Sequence, residues 1–188
     1  DVHPTEYAAV FKAGRRKSCG MEVVVDWSQK KVGGVDAGGE EIVAEAMRWG
    51  FSGVGGKKVI INARAETVLE RPMFRESVLR RRLVIPAAGF YEWNARKEKA
   101  SFIPWSEEGT RQILYMAGVY DRFENEDRFV ILTTAANASM KDTHDRMPLI
   151  LEAGEVEKWL WDDGKMEDFL KKEPGPLKKK MEYEQQTL

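Results

Sequence analysis

Short apolar runs alternate with turn chemistry along this chain, with few helices between them, and that rhythm constrains the fold more than any other feature. Runs rich in β-branched and aromatic residues recur at 21–27, 59–61, 83–85, 90–93, 113–120 and 129–134, each of strand length. Turn formers separate them at 33–34, 38–39, 53–56, 107–110 and 124–127. Helical spacing is confined to 73–82, 155–161 and 166–172. Strands that follow one another without a regular intervening helix argue against a doubly wound parallel sheet. The expected fold is α+β: a mixed, strongly curved or barrel-like β-sheet core flanked by a few helices. At 188 residues, without internal repeats or a long linker, residues 1–188 read as a single domain.

Such a core needs large apolar side chains, and the chain has them: 43% of residues are hydrophobic, with six Trp, eight Phe and five Tyr. Wholesale disorder is excluded. No run approaches the roughly 18 to 20 apolar residues that cross a bilayer, and no charged-then-apolar leader pattern opens the chain, so it is expected to be soluble, cytoplasmic and free of membrane. The lone cysteine, Cys19, and two histidines, His3 and His144, cannot build a disulfide or a cysteine-histidine zinc site, so no metal is expected. Position 1 is aspartate, before which an initiator methionine is not normally trimmed, and a truncated start is expected.

The net charge of −1 conceals a basic middle. Residues 57–99 carry eleven Lys or Arg against five Glu, whereas residues 152–168 carry seven acids and two Lys. A local positive field is what phosphate contact requires, although a run such as Arg80-Arg81-Arg82 also suits a solvated helix face. The glycines of 50–58 do not make a phosphate-binding loop, because Lys58 stands where Ser or Thr is needed, and those of 33–39 lack a dinucleotide-binding order.

Three polar constellations remain. In an extended 60–67, a period of two places Asn62, Arg64 and Glu66 on one face and two alanines on the other, as in a polar pocket floor or a self-satisfied network. Glu92 lies in an aromatic strand on the same face as Phe90, where desolvation would favour a proton-donating carboxyl, or at an edge where it would meet water. Thr133 to Asn137 end a strand, and His144 follows beside Asp145 and Arg146 in a loop fixed by Pro148; of the two histidines only His144 has polar neighbours suited to proton exchange.

The order N-A-R-A-E-T (62–67), P-A-x-G-F-Y-E-W (86–93), T-T-x-A-N (133–137) and H-D-R-M-P (144–148), with M-R-W-G at 47–50 and Val2-x-Pro4-Thr5 upstream, resembles the SOS-response-associated peptidase (SRAP) family over nearly the whole chain. The resemblance implies a sensor of abasic sites in single-stranded DNA. It crosslinks through an N-terminal cysteine, whose amine and thiol form a thiazolidine with the sugar aldehyde, and it removes its own initiator methionine. No cofactor is implied, and a monomer suffices. By motif, Asn62 orients cysteine and sugar, Glu92 transfers protons, and His144 assists sugar opening and reversal. Arg64, Arg71 and Arg146 hold phosphates; Trp49 and Trp93 stack on bases; Thr133 contacts DNA. In a bacterium the protein would be associated with the nucleoid.

Two departures stand out. No M-C-G-R start is present, and Cys19 is internal, without an α-amine; the family's N-terminal segment is expected to be missing from this sequence. Phe51 to Gly56 replaces the L-I-P-x-W-like segment that follows M-R-W-G in the family. The alternatives are a non-covalent single-stranded or junction DNA-binding module and, in another class, a cysteine peptidase pairing Cys19 with His144 and Asn62.

Overall fold

A computed structural model describes residues 2–15, 31–32, 36–37, 40–53, 55, 58–105 and 113–181. Cys19 and the expected strand at 21–27 lie outside the described residues. In chain order the elements are β1 (Tyr7–Arg15), β2 (Lys31–Val32), β3 (Asp36–Ala37), β4 (Glu40–Trp49), β5 (Phe51–Ser52), β6 (Val59–Ile60), β7 (Asn62–Arg64), α1 (Pro72–Arg80), β8 (Arg82–Ala87), β9 (Phe90–Trp93), β10 (Lys99–Pro104), β11 (Leu114–Phe123), β12 (Glu126–Ala135), β13 (Arg146–Pro148), β14 (Ile150–Leu151), α2 (Val156–Trp161), α3 (Met166–Leu170) and β15 (Leu177–Met181).

Strands β12, β11, β8, β1 and β4 pair in that order, all antiparallel, and β4 returns to β12 in parallel through Arg48↔Arg128 and Trp49↔Phe129. Five strands thereby close into a mixed barrel, which leaves no open edge between them. At the seam Gly50 adopts φ +116°, a left-handed backbone that glycine tolerates, and its N–H bonds the Phe129 carbonyl at 2.8 Å.

Alternation along the barrel strands sorts the core into two layers. Val10, Met47, Leu83, Ile85, Met116, Phe129 and Ile131, drawn from all five strands, form one cluster that fills the barrel. The intervening Val84, Ala117, Val119, Val130 and Leu132 form the other, covered by Val156, Trp159 and Leu160 of α2 and by Met166, Phe169 and Leu170 of α3. A second, three-stranded antiparallel sheet, ordered β15-β10-β9, joins the barrel cluster through Ala100, Phe102, Leu177 and Phe90.

The helix expected over 73–82 ends at Arg80, and Arg82 begins β8. Only Arg80 sits on a solvated helix face; Arg81 and Arg82 follow the helix and are taken up by the fold. Arg80 pairs with Glu76, Arg81 with Asp121 and Arg82 with Asp163. Arg82 is buried: its Nε donates to the Trp159 carbonyl at 2.6 Å, Nη1 to the Val78 carbonyl at 3.1 Å and Nη2 to Asp163 at 2.7 Å. One guanidinium thus supplies donors to the C-terminal carbonyls of α1 and α2, which have no intrahelical partner. Among the described residues, no helix is long and apolar enough to cross a membrane.

Candidate active site

The alternating burial expected at 62–66 is observed, although the extended backbone ends at Arg64 and Ala65–Thr67 turn into a short 3-10 helix. Ala63 and Ala65 are buried in the helix-covered layer, while Asn62, Arg64 and Glu66 are exposed. Strand β7 lies parallel to β12, with Ile131↔Asn62 and Thr133↔Arg64 in register. Paired residues share a face, so Asn62 and Arg64 stand on the side of β12 that carries Ile131 and Thr133. On the other edge of β12, β13 pairs Ala135 with Arg146 and brings that arginine to the same strand end.

Arg146 and Glu66 form a two-pronged bridge there, Nη1 to Oε1 and Nη2 to Oε2, both 2.8 Å. Arg146 Nη2 also donates to the Thr133 carbonyl at 2.6 Å and lies 3.3 Å from Thr133 Oγ1, whereas its buried Nε makes no hydrogen bond. The Arg146 fork holds the Glu66 carboxyl below the usual carboxylate range, aided by backbone N–H groups of Glu66 and Ala135 and opposed by partial burial. Glu66 was legible as part of the polar face but not as this partner, which lies 80 residues away in sequence.

His144 follows a turn closed by its own N–H to the Met140 carbonyl. Its Nδ1 accepts the Arg146 backbone N–H at 3.1 Å and also lies 3.2 Å from the Arg146 carbonyl and 3.5 Å from Asp145 Oδ1. The amide contact needs a lone pair on Nδ1 and the carbonyl contact a proton there, so Nδ1 satisfies one of the two at a time. Asn62 and Arg64 make no side-chain hydrogen bond or ion pair among the described residues, in contrast to Arg146. The site therefore offers an amide and a cation on one face, while β13 brings Arg146, two residues after His144, to the opposite edge of β12.

Glu92 sits apart on β9. Phe90 packs into the barrel cluster, stacked on Phe102 at 5.4 Å, and Glu92 shares its face, half-buried. Glu92 Oε1 accepts the Trp93 N–H at 3.3 Å; no hydrogen bond joins it to Asn62 or His144 among the described residues. Trp93 lies on the opposite, outer face and is 50% exposed. Trp49 packs on the barrel: its ring lies parallel to Phe129 at 6.3 Å and its Nε1 donates to the Ile61 carbonyl at 2.9 Å. Arg71 is exposed at the N-terminus of α1, where its carbonyl accepts the N–H groups of Phe74 and Arg75. In the variant segment after M-R-W-G, Phe51 is fully buried against Phe74 and Phe123. A groove of about 620 Å³ lined by Trp105, Ile113, Tyr115, Ile150 and Pro176 contains none of these residues.

A closed five-strand mixed barrel with Asn62, Arg64, Glu66, Thr133 and Arg146 gathered at one end of β12 defines the class of fold to which the chain belongs. The chain belongs to the SOS response associated peptidase (SRAP) family, whose model matches residues 1–185. It is 34% identical over 136 residues to abasic site processing protein YoaM of Bacillus subtilis (strain 168), covering 66% of this chain and 59% of that protein. It is 32% identical over 157 residues to abasic site processing protein HMCES of Xenopus tropicalis, covering 66% of this chain and 47% of that protein. The chain thus spans about half to three-fifths of these relatives' lengths. A solved structure of a protein from Bacteroides thetaiotaomicron superposes with a TM-score of 0.64 at 26% identity, covering 75% of this chain and 70% of that one.

Proposed function

We propose that this chain processes abasic sites in single-stranded DNA, gripping the strand beside β7 and β12. The observation that carries the reading is Arg64: an exposed guanidinium without an ion pair among the described residues, on one face with Asn62, whereas Arg48, Arg128 and Arg146 are all committed to carboxylates. An unpaired cation beside an unbonded amide suits a phosphodiester next to a sugar. Arg71 is a second exposed cation available to phosphate, Thr133 lines the same face, and Trp49 and Trp93 offer rings to flanking bases. Arg146 contributes through its bridge to Glu66, with its backbone N–H holding His144.

The names of the relatives support abasic DNA as substrate, and the family resemblance supports an N-terminal cysteine as nucleophile. In a chain beginning with cysteine, the α-amine condenses with the open sugar aldehyde and releases water, giving an imine. The thiol then adds across the C=N bond, its proton passing to nitrogen, and closes the thiazolidine without redox change. Glu92 and His144 are the proton-transfer groups in this reading, and Asn62 orients the reactants. In this reading the peptidase activity is self-directed removal of the initiator methionine: water hydrolyses the Met–Cys peptide bond, releasing methionine and freeing the cysteine α-amine for the condensation. Neither a cofactor nor a second subunit enters these steps, and acting on DNA places the protein in the cytoplasm or on a bacterial nucleoid.

The test uses a chain carrying N-terminal cysteine and an abasic oligonucleotide. Arg64→Ala is expected to weaken single-strand binding by about 1 to 3 kcal/mol and lower its salt dependence. Glu92→Gln is expected to slow formation of the heat-stable adduct on denaturing gels while intact DNA still binds, because glutamine keeps the shape but cannot titrate. Wild-type adduct rates in Glu92→Gln and His144→Ala refute the proton-transfer assignment, and binding without any adduct leaves a non-covalent module.

A further inference from the structure

The outward face of the three-stranded sheet enters the reading above only through Trp93, and its composition is selective. Strand alternation turns Phe90, Ala100, Phe102 and Leu177 toward the barrel and leaves Tyr91 and Trp93 of β9, Lys99 and Ser101 of β10, and Lys178 and Lys180 of β15 on the other side. The run Lys178-Lys179-Lys180 is split by that period: Lys179 turns back and pairs with Asp142 at 2.9 Å, while Lys178 and Lys180 are exposed and make no ion pair among the described residues. The register sets Trp93 opposite Lys99, Tyr91 opposite Ser101, and Ser101 opposite Lys180. Lys99 Nζ lies 3.7 Å from the Tyr91 ring centre and 5.9 Å from that of Trp93. Tyr91 and Trp93 are 38% and 50% exposed. None of the outward positions of the three strands carries a carboxylate.

We infer that this face is a second binding surface, a platform for a single DNA strand running on from the cleft over the β9 edge. Two exposed rings beside a row of ammonium groups match the alternation of base and phosphate in an unpaired strand. Lysines act as point charges that suit phosphates at variable spacing, while an acidic peptide would use the lysines and leave the rings without partners. Because Phe90 and Glu92 face the barrel from the same strand that turns Tyr91 and Trp93 outward, a strand leaving Glu92 reaches the platform by crossing one edge. This inference rests on the DNA reading above.

The experiment compares fluorescence anisotropy for single-stranded oligonucleotides of about 6 and about 20 nucleotides, the shorter filling the cleft alone. Wild type is expected to bind the longer strand at least about tenfold more tightly. The double variant Lys178→Glu/Lys180→Glu is expected to lose that gain, with a salt slope lower by about 0.7 per lost phosphate contact, while binding the shorter strand as wild type does. Tyr91→Ala is expected to weaken the longer strand without changing the slope. Equal binding of both lengths by wild type, an unchanged slope in the double variant, or displacement of the 20-mer by polyglutamate as readily as by a competing strand each overturns the platform and leaves the cleft standing. Failure of wild type to bind either length overturns the cleft as well.

Discussion

Replacing Arg82 with methionine tests whether the densest part of the basic middle serves the fold or nucleic acid. Methionine keeps much of the stem's volume and removes every donor. The loss leaves the Trp159 and Val78 carbonyls, now bonded at 2.6 and 3.1 Å, without donors at two packed helix ends. A buried carbonyl deprived of its partner costs about 1 to 3 kcal/mol, partly offset because a guanidinium need no longer be desolvated. Asp163 contributes little, since its side chain is 81% exposed and water replaces the bridge. The expected net destabilisation is about 2 to 4 kcal/mol, which in a chain of this size lowers Tm by about 5 to 15 °C. Arg82→Lys should fall between wild type and methionine, because one ammonium cannot span both helix ends. Circular dichroism melts at pH 7 measure the effect, with single-strand anisotropy across a salt series run alongside. A Tm within about 1 °C of wild type, coupled to a smaller salt slope, would refute the clamp and return Arg82 to the DNA-binding surface.

Glu66→Gln is expected to destabilise by about 1 kcal/mol at pH 7, the low end for a charged bridge because the carboxylate is 43% exposed. Arg146 lowers the folded carboxyl beneath its ordinary 4.5, so this stability is whole above that value and fades as pH falls through the folded one; urea midpoints of variant and wild type should converge in acid, and a deficit independent of pH would contradict the bridge. Gly118→Ala would place a Cβ 2.7 Å from Ile85 Cδ1 and 2.8 Å from both Leu83 Cδ1 and the Val130 carbonyl. Urea denaturation should show a loss of about 1 to 3 kcal/mol, and a neutral result would mean the barrel wall is looser than these distances state.

What could be read in the sequence was what local period determines. Asn62, Ala63 and Arg64 alternate along β7 as their spacing predicts, and Ala65 stays buried and Glu66 exposed even though the backbone turns there into a short 3-10 helix that the period of two did not announce. Phe90 and Glu92 share a face through that same period. Strand β4 escaped the reading: Glu40, Glu41, Ala44, Glu45, Ala46 and Met47 are good helix formers, and continuous pairing with β1, from Tyr7↔Arg48 to Arg15↔Glu40, together with β2, β3 and β12 on the other edge, holds them extended. Register between distant strands was equally silent. Arg146 reads as one more basic residue beside a histidine until β7 and β13 are set on opposite edges of β12, and only then does its fork meet Glu66. The same closure separates committed arginines from available ones, since Arg48 and Arg128 share Glu126 across the seam between β4 and β12 while Arg64 is exposed and makes no ion pair among the described residues. A basic segment therefore predicts that an anion site exists nearby, but which cation serves it is decided by the carboxylates that topology brings within reach.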